Sequence, residues 1–389
     1  MKSKPRKVLM ACIQPYWSCL QLGSQHLARQ FSVNSFEVHY FAAPVTPLHL
    51  LKINSAEVPA RFKASLQSPL IHNNNISSYI PFSILAPDGM PLLRSRQVVA
   101  NWHKSVFPTL QTIIKNSGLD QVDLLYIDNL SYHFLLDQLD YDRCVFRVMD
   151  IHEHFPGWTG HCRWMAQKLA SRADLTIYSA RGLKEYVESL SPQKTALVAN
   201  GVDYWFFRSQ GSSGGRHPVL SKVPDPVVLY TGILDSRLDW RLIQETAAAL
   251  SGVSFVFAGP GRPDPAVGRL PGNIYFPGPV PHGEMPWLMH SAVAGMIPFD
   301  IKYRLELIQG IRPLKLLEYM AAGLPVICAR WAEVESMNSP AWIYDNVHDF
   351  VSLASKAASR KHDQQPYLDF AARHDWSSSF RILQHELGL

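Results

Sequence analysis

The chain has no long hydrophobic run, no paired-cysteine motif and no dense block of charge. None of its 389 residues lies in a stretch near the ~20 consecutive apolar residues that span a bilayer. Its five cysteines (Cys12, Cys19, Cys144, Cys162, Cys328) show no CxxC or other zinc-like spacing. An odd, scattered set argues for a reducing compartment. No Lys/Arg cluster follows residue 7, and the formal net charge is only +5. That balance excludes a nucleic-acid binder and suits an anionic ligand or a loose attraction to an anionic membrane surface. The N-terminus is basic, but the apolar run after it, Val8 to Ile13, breaks at Gln14-Pro15. It is too short for a signal peptide. The expected location is cytoplasmic, with at most peripheral contact at the inner face of the cytoplasmic membrane.

A Gly-x-Gly-x-x-Gly turn is missing after the first apolar run, where Gln14 to Gly23 is bulky. Gly259-Pro-Gly261 is followed by Arg262-Pro263, which does not open a helix. A dinucleotide oxidoreductase is therefore rejected.

What is present is a recurring unit. Short β-rich apolar runs (Val8–Ile13, Glu37–Ala42, Val122–Ile127, Cys144–Met149, Leu175–Tyr178, Ala196–Ala199) alternate with helix-like segments. A second series follows: Val227–Tyr230, Ser254–Ala258, Ile274–Phe276, Val293–Ile297, Pro325–Ala329 and Trp342–Tyr344. Continuous apolar strands between helices signify parallel sheets covered on both faces. The expected class is α/β with two domains: 1–207, a hydrophilic Gly/Ser linker at 208–216, then 217–372. A terminal helix with apolar Phe380, Leu383 and Leu387 fills 373–389. Residues 45–115 read as long loops around irregular elements.

The segment Arg312-Pro-Leu-Lys-Leu-Leu-Glu-Tyr-Met-Ala-Ala-Gly-Leu-Pro-Val-Ile-Cys328 carries the chemistry. Pro313 suits a first helical turn, Gly323 a C-terminal cap, and Pro325 stops the helix. Arg312 and Lys315 then lie in the first turn, against the helix dipole. That placement makes sense if an anion sits there, met by free backbone N–H groups, the dipole and the lysine. Glu318, three residues after Lys315, projects from the same face. A cation for phosphate beside a carboxylate for ribose hydroxyls is what a nucleoside diphosphate requires. An ordinary surface Lys–Glu pair is the plainer alternative.

This segment resembles the donor-binding signature P-x-K-x-x-E-Y-x-A-x-G-x-P-V of the GT-B glycosyltransferases. Further stretches match in order: Asn200-Gly-Val-Asp203 with Phe206, Leu229-Tyr-Thr-Gly232 with Arg237, Phe255-Val-Phe-Ala-Gly259, Ile274-Tyr-Phe-Pro-Gly278 with Val280-Pro281, and Ile297-Pro-Phe299. Gly23-Ser-Gln-His-Leu-Ala-Arg-Gln-Phe31 is similar to the first helix of the acceptor domain. The resemblance implies two Rossmann-like domains with parallel sheets facing across a cleft. The N-terminal one would bind acceptor, the C-terminal one would bind donor, and the last helix would cross back to the first. It implies donor contacts at Gly232, Arg237, Gly259, Val280, Arg312, Lys315, Leu316 and Glu318. The substrate would be a UDP- or GDP-sugar, with no cofactor and no metal. The retaining families carry a second glutamate eight positions before the one matching Glu318. Here that position is Gly310, and nearby Glu306 is out of register, so the stereochemical outcome stays open.

On the acceptor side, the strand ending at Met149 is followed by Asp150, His152, Glu153 and His154. Ligand groups in open α/β sheets gather at this carboxyl end. A carboxylate there can take the proton of an acceptor hydroxyl. Asp150 matches the base aspartate of xanthan-type glucuronosyltransferases; a helix cap is the equal alternative. His152-Glu-His154 lacks a third metal ligand. Gly23, His26, His152 and Glu153 are the expected acceptor contacts. Trp102-His103-Lys104 with Lys52, Arg61 and Lys63 would suit a lipid-linked glycan, against a plain solvated face. Two other functions fit the same scaffold: a sugar-nucleotide 2-epimerase, and a catalytically silent binding subunit.

Overall fold

The computed structural model describes the chain except residues 1–4, 19–20, 53–56, 73–74, 86–94, 155–160, 210–214, 264–266 and 360–361. Most of the expected linker lies outside the described residues. Two compact units emerge, Met1–Val198 with Phe380–Leu389, and Ala199–Ser379. The division comes before the Gly/Ser-rich stretch because residues 199–207 are tied into the second unit. The N–H of Val202 donates to the carbonyl of His374, and the hydroxyl of Ser379 to the carbonyl of Ala199. Gly201 has no room for a side chain, since a Cβ would lie 2.9 Å from the His374 oxygen.

The first unit holds strands β1 (Arg6–Ala11), β2 (Phe36–Phe41), β3 (Leu70–His72), β4 (Ile76–Tyr79), β7 (Gln121–Ile127), β8 (Asp140–Val148), β9 (Leu175–Tyr178) and β10 (Thr195–Leu197). They form one sheet in the order β10-β9-β8-β7-β1-β2-β4-β3, parallel except for β3. A separate hairpin pairs β5 (Phe82–Ser83) with β6 (Val106–Phe107). The strand order reverses between β1 and β7, which places a crevice at their carboxyl ends. Helix α1 (Gly23–Val33) follows β1, and α2 (Glu57–Leu66) lies in the stretch the sequence left irregular. The inner strands are buried on both faces, as their unbroken apolar runs require.

The second unit is a six-stranded sheet, β13-β12-β11-β14-β15-β16. Its strands are β11 (Val227–Thr231), β12 (Ser254–Ala258), β13 (Ile274–Gly278), β14 (Ala294–Ile297), β15 (Val326–Ala329) and β16 (Trp342–Tyr344). All its pairings are parallel. This is the 3-2-1-4-5-6 order of a doubly wound dinucleotide-type fold, with its switch point between β11 and β14. Helix α3 (Trp240–Ala249) follows β11 and is capped by Asp239, whose carboxylate accepts from the Leu242 N–H. Helix α4 (Leu314–Ala321) follows β14.

Helix α4 ends as its sequence requires. Gly323 adopts φ 77°, its N–H donates to the carbonyl of Met320, and that of Leu324 to the carbonyl of Tyr319. This paired bonding is the glycine-terminated helix stop, which satisfies otherwise orphaned carbonyls. Helix α5 (Val347–Ser359) returns to pack near α3, and α6 (Trp376–Leu387) closes the chain. From Phe380 onward α6 belongs to the first unit, where Phe380 meets Phe31 edge-on at 4.8 Å.

The position of α4 on its sheet depends on Tyr319. Its hydroxyl accepts from the Thr231 N–H at 2.7 Å, fixing the helix to the end of β11. Its ring lies against Gly295 of β14, where any Cβ would overlap the ring carbons. Gly295→Ala should therefore cost about 1–3 kcal/mol by overpacking, read as a lower denaturant midpoint. An unchanged midpoint would show that the ring has room to move.

Candidate functional site

In the second unit, the carboxyl ends of β11, β12 and β14 and the start of α4 converge at the switch point. The loop after β11 begins with Gly232 at φ 135°, and a Cβ there would stand 3.2 Å from Lys315 Nζ. Gly259, after β12, touches the Gly232 backbone so closely that any side chain would overlap the Gly232 carbonyl. The N–H of Gly232 donates to the carbonyl of Ala258, and that of Gly259 to the carbonyl of Gly278. The two glycines thus allow adjacent loops to stack backbone on backbone beside the lysine.

Lys315 Nζ stands 3.4 Å from the Tyr230 hydroxyl, 4.8 Å from the centre of the Tyr230 ring and 5.2 Å from that of Phe299. The Tyr230 hydroxyl donates to the Ile233 carbonyl and so offers Lys315 a lone pair. Two aromatic rings and a phenol cradle the ammonium, but no described carboxylate forms an ion pair with it. Burial, reinforced by the Arg237 charge, pulls its pKa down to about 8, against opposing pulls from Glu318 and Asp235. Burial likewise pushes Glu318 up to about 7, with Lys315 working against that. Both side chains are half-buried, so the recess that raises these costs is also open to a ligand.

The other expected donor residues divide. Arg237 is in the same loop, and its guanidinium Nε sits 3.0 Å from both Asp235 carboxylate oxygens. Val280 is buried just beyond β13. Leu316 is wholly buried in the hydrophobic core, so only its main chain remains for a ligand. Arg312 differs most from expectation. It precedes α4, whose cap is Pro313, and its guanidinium forms a buried ion pair with Glu333 at 3.2 Å. Its charge is answered within the protein. The Asn200 side chain donates to the Arg312 carbonyl at 3.2 Å, so the Asn-Gly-Val-Asp stretch braces the approach to α4. Gly310 is buried and Glu306 exposed. A cavity of about 1290 Å³ is lined by Asp235 and Phe299 but not by Lys315 or Glu318.

In the first unit, Asp150 is half-buried between β8 and a short 3-10 turn, His152–His154. His152 is buried, which pulls its pKa down to about 4 and keeps the ring neutral at pH 7. Glu153 accepts from the Tyr186 hydroxyl at 2.8 Å and lies 3.9 Å from Arg163. His26 is buried on α1, 3.2 Å from an Arg29 nitrogen. Trp102 and His103 are core residues, with Trp102 packed edge-on to Tyr132 and Phe134. They cannot form the aromatic surface expected of them, whereas Lys104 is exposed.

Sequence reasoning missed a buried polar network at this unit's switch point. Asp128 follows β7 and accepts from the hydroxyl of Ser24 at the start of α1. Arg147, from β8, is buried under Gly23, where a Cβ would overlap its guanidinium, and reaches the Tyr126 hydroxyl at 3.5 Å. Gln25 accepts from the Leu22 N–H and donates to the Pro15 carbonyl, closing the loop before α1. These groups position Gly23 and His26. Only the glycine gave a sequence signal, since the ionic partners are far apart in the chain. Among the described residues, no three His, Cys, Asp or Glu side chains group as metal ligands.

Comparison with known proteins follows this geometry. Residues 225–358, most of the second unit, match the family profile "Glycosyl transferases group 1". A protein named as a teichuronic acid biosynthesis glycosyltransferase, from Bacillus subtilis (strain 168), is 26% identical over 239 residues. That match spans 57% of this chain and 58% of the relative. Sucrose-phosphate synthase from Thermosynechococcus elongatus superposes with a TM-score of 0.70 at 12% identity, covering 98% of both chains. Anabaena HepE, solved with UDP and glucose, superposes with a TM-score of 0.62 at 14% identity, covering 98% of this chain and 99% of its own. Residues 225–358 are a group 1 glycosyltransferase domain, set in a chain of the GT-B fold. The family match falls on the unit that carries Gly232, Lys315 and Glu318, and the structural likeness extends the fold to both units.

The Asp128 network has a pH signature. Burial raises the Asp128 pKa to about 6, partly offset by the Ser24 bond and the Arg147 charge. Because the folded-state pKa lies above the unfolded one, the stability from protonation is fully present below about pH 4 and lost as pH rises through about 6. Asp128→Asn should remove that slope. Its stability relative to the parent should shift in its favour by about 3 kcal/mol between pH 4 and 7, measured by urea unfolding at each pH. A pH-independent difference would contradict the assignment.

Proposed function

We propose that the protein transfers a hexose-type sugar from a UDP- or GDP-sugar to a glycan or lipid-linked glycan, in surface polysaccharide or glycoconjugate synthesis. The observation that carries this reading is Lys315. It is a half-buried ammonium at a helix start and strand switch point, held by aromatic rings and without an ion pair among the described residues. A nucleoside diphosphate supplies the missing negative charge. The name of the Bacillus relative and the UDP bound by HepE support the same substrate class.

In this reading the diphosphate lies against Lys315, the N–H groups opening α4 and the stacked Gly232 loop. As the sugar–phosphate bond breaks, negative charge grows on the departing phosphate, and Lys315 stabilises it where water is scarce. Arg237 adds charge, tempered by Asp235. Glu318, one helical turn on, accepts from ribose hydroxyls as a carboxylate, and the main chain near Val280 meets the base. Asp150 is our candidate for the group that takes the acceptor's hydroxyl proton. No metal is needed to neutralise the diphosphate. Among the described residues no helix is long and apolar enough to cross a membrane. We infer that the protein works at the inner face of the cytoplasmic membrane by peripheral contact.

Lys315→Ala should weaken UDP binding by about 10- to 100-fold, the worth of a hydrogen bond to a charged group. Calorimetric titration reads this directly, and near-parental affinity would refute the donor grip. The same titration carries a pH test. A bound diphosphate raises the Lys315 pKa from about 8, so binding at pH 8 should take up a proton and weaken as pH rises further. Heats that do not vary with buffer ionisation enthalpy would count against it. For the acceptor side, Asp150→Asn should slow sugar transfer while leaving UDP affinity intact. A full transfer rate would remove Asp150 as base.

A further inference from the structure

The first unit exposes several large apolar side chains on neighbouring elements. Leu66 is 89% exposed, Phe107 75%, Ile71 74% and Ile84 61%. Their elements are joined in one rim. Phe62 of α2 meets Phe82 of β5 at 6.5 Å, and Phe82 pairs with Phe107 across the hairpin. The Ile84 N–H donates to the Ser105 carbonyl. The Ser68 hydroxyl, just past α2, accepts from the Ile80 N–H between β4 and β5. Ile71 lies on β3, the last strand of the sheet. A small buried cluster of Ala42, Val45, Ala64 and Ile80 supports this rim separately from the main core.

Charge completes the pattern. Residues 45–115 hold seven basic side chains (Lys52, Arg61, Lys63, Arg94, Arg96, Lys104, Lys115) against two acidic ones (Glu57, Asp88). Lys63 stands three residues before Leu66, and Lys104 three before Phe107. Both lysines are exposed, and neither forms an ion pair among the described residues. An apolar tip beside a lysine matches a leaflet of anionic phospholipid. The tip enters the headgroup boundary while the ammonium stays with the phosphates.

We propose that this rim, carrying Leu66, Ile71, Ile84 and Phe107 with Lys63 and Lys104, docks the protein on an anionic membrane surface. It names the surface behind the peripheral contact proposed above and is independent of the donor reading. The protein is then held at the interface where a lipid-linked acceptor lies.

Sedimentation of the full chain with phosphatidylcholine vesicles, with and without phosphatidylglycerol, tests this. The parent should pellet with the anionic vesicles and be released by salt. Leu66→Ser with Phe107→Ser, and separately Lys63→Glu with Lys104→Glu, should each weaken that binding by at least about tenfold. All four positions are exposed, so thermal unfolding and UDP titration should match the parent. Those controls separate failure of this surface from failure of the donor site. Parent and variants binding the anionic vesicles equally, or the parent binding neither vesicle, would overturn the proposal. So would a parent dimer in ultracentrifugation that both variants abolish, since the rim would then be a contact between copies.

Discussion

A charge taken out of water must be answered, and in this protein the manner of the answer separates scaffold from site. Arg147, Arg312 and Lys315 are withdrawn from solvent to different degrees. Arg312 is answered by Glu333 at 3.2 Å, with both side chains buried. Arg147 lies beside Asp128, whose carboxylate it helps keep charged against the cost of burial. Among the described residues, Lys315 meets a phenol and two ring faces and forms no ion pair. The first two pairs would cost several kcal/mol to break from one side, because a lone buried charge would remain. They hold loops in place. The third leaves its cost outstanding, and an anionic ligand can meet it.

That outstanding cost is sustained by packing far stiffer than a helix surface. Lys315 and Glu318 share α4 with Tyr319, whose hydroxyl and ring fix the helix to β11 and β14 at once. Turning the helix to bring Lys315 into water would break the Thr231 bond and drive the ring into Gly295. The glycine-terminated end of α4 fixes its length, and the Gly232–Gly259 contact fixes the loops opposite. The ammonium is therefore held still in a recess that disfavours its charge, the preorganised state electrostatic catalysis calls for.

Much of this was legible in the sequence, for identifiable reasons. Every apolar run read as a strand is one, because strands buried on both faces need unbroken hydrophobic sequence. The cap and stop signals of α4 were local, and the structure shows them as bonds. Residues 45–115 were opaque because their strands are two to four residues long, which leaves no period to read. Arg312 and Lys315 looked equivalent, both basic and both near a helix start. Only the fold reveals Glu333 waiting for one of them. The Asp128–Ser24–Arg147 network was invisible for the same reason, since its members come from β7, α1 and β8. Trp102 carried the opposite lesson: beside a histidine and a lysine it suggested a surface, yet its size gives it more to gain from the core.

Both units place charged side chains at the carboxyl ends flanking a strand-order reversal, but arrange them differently. In the second unit the reversal between β11 and β14 opens onto Lys315. In the first, the reversal between β1 and β7 is filled by Asp128, Ser24 and Arg147, so a small anion would meet a carboxylate already in place. One strand further, beyond β8, the proposed base Asp150 lies beside a histidine that burial keeps neutral and a glutamate tied to Tyr186 and Arg163. The two switch points therefore differ in kind: in one unit a carboxylate is held by a serine and an arginine of the same unit, and in the other a lysine faces an open recess.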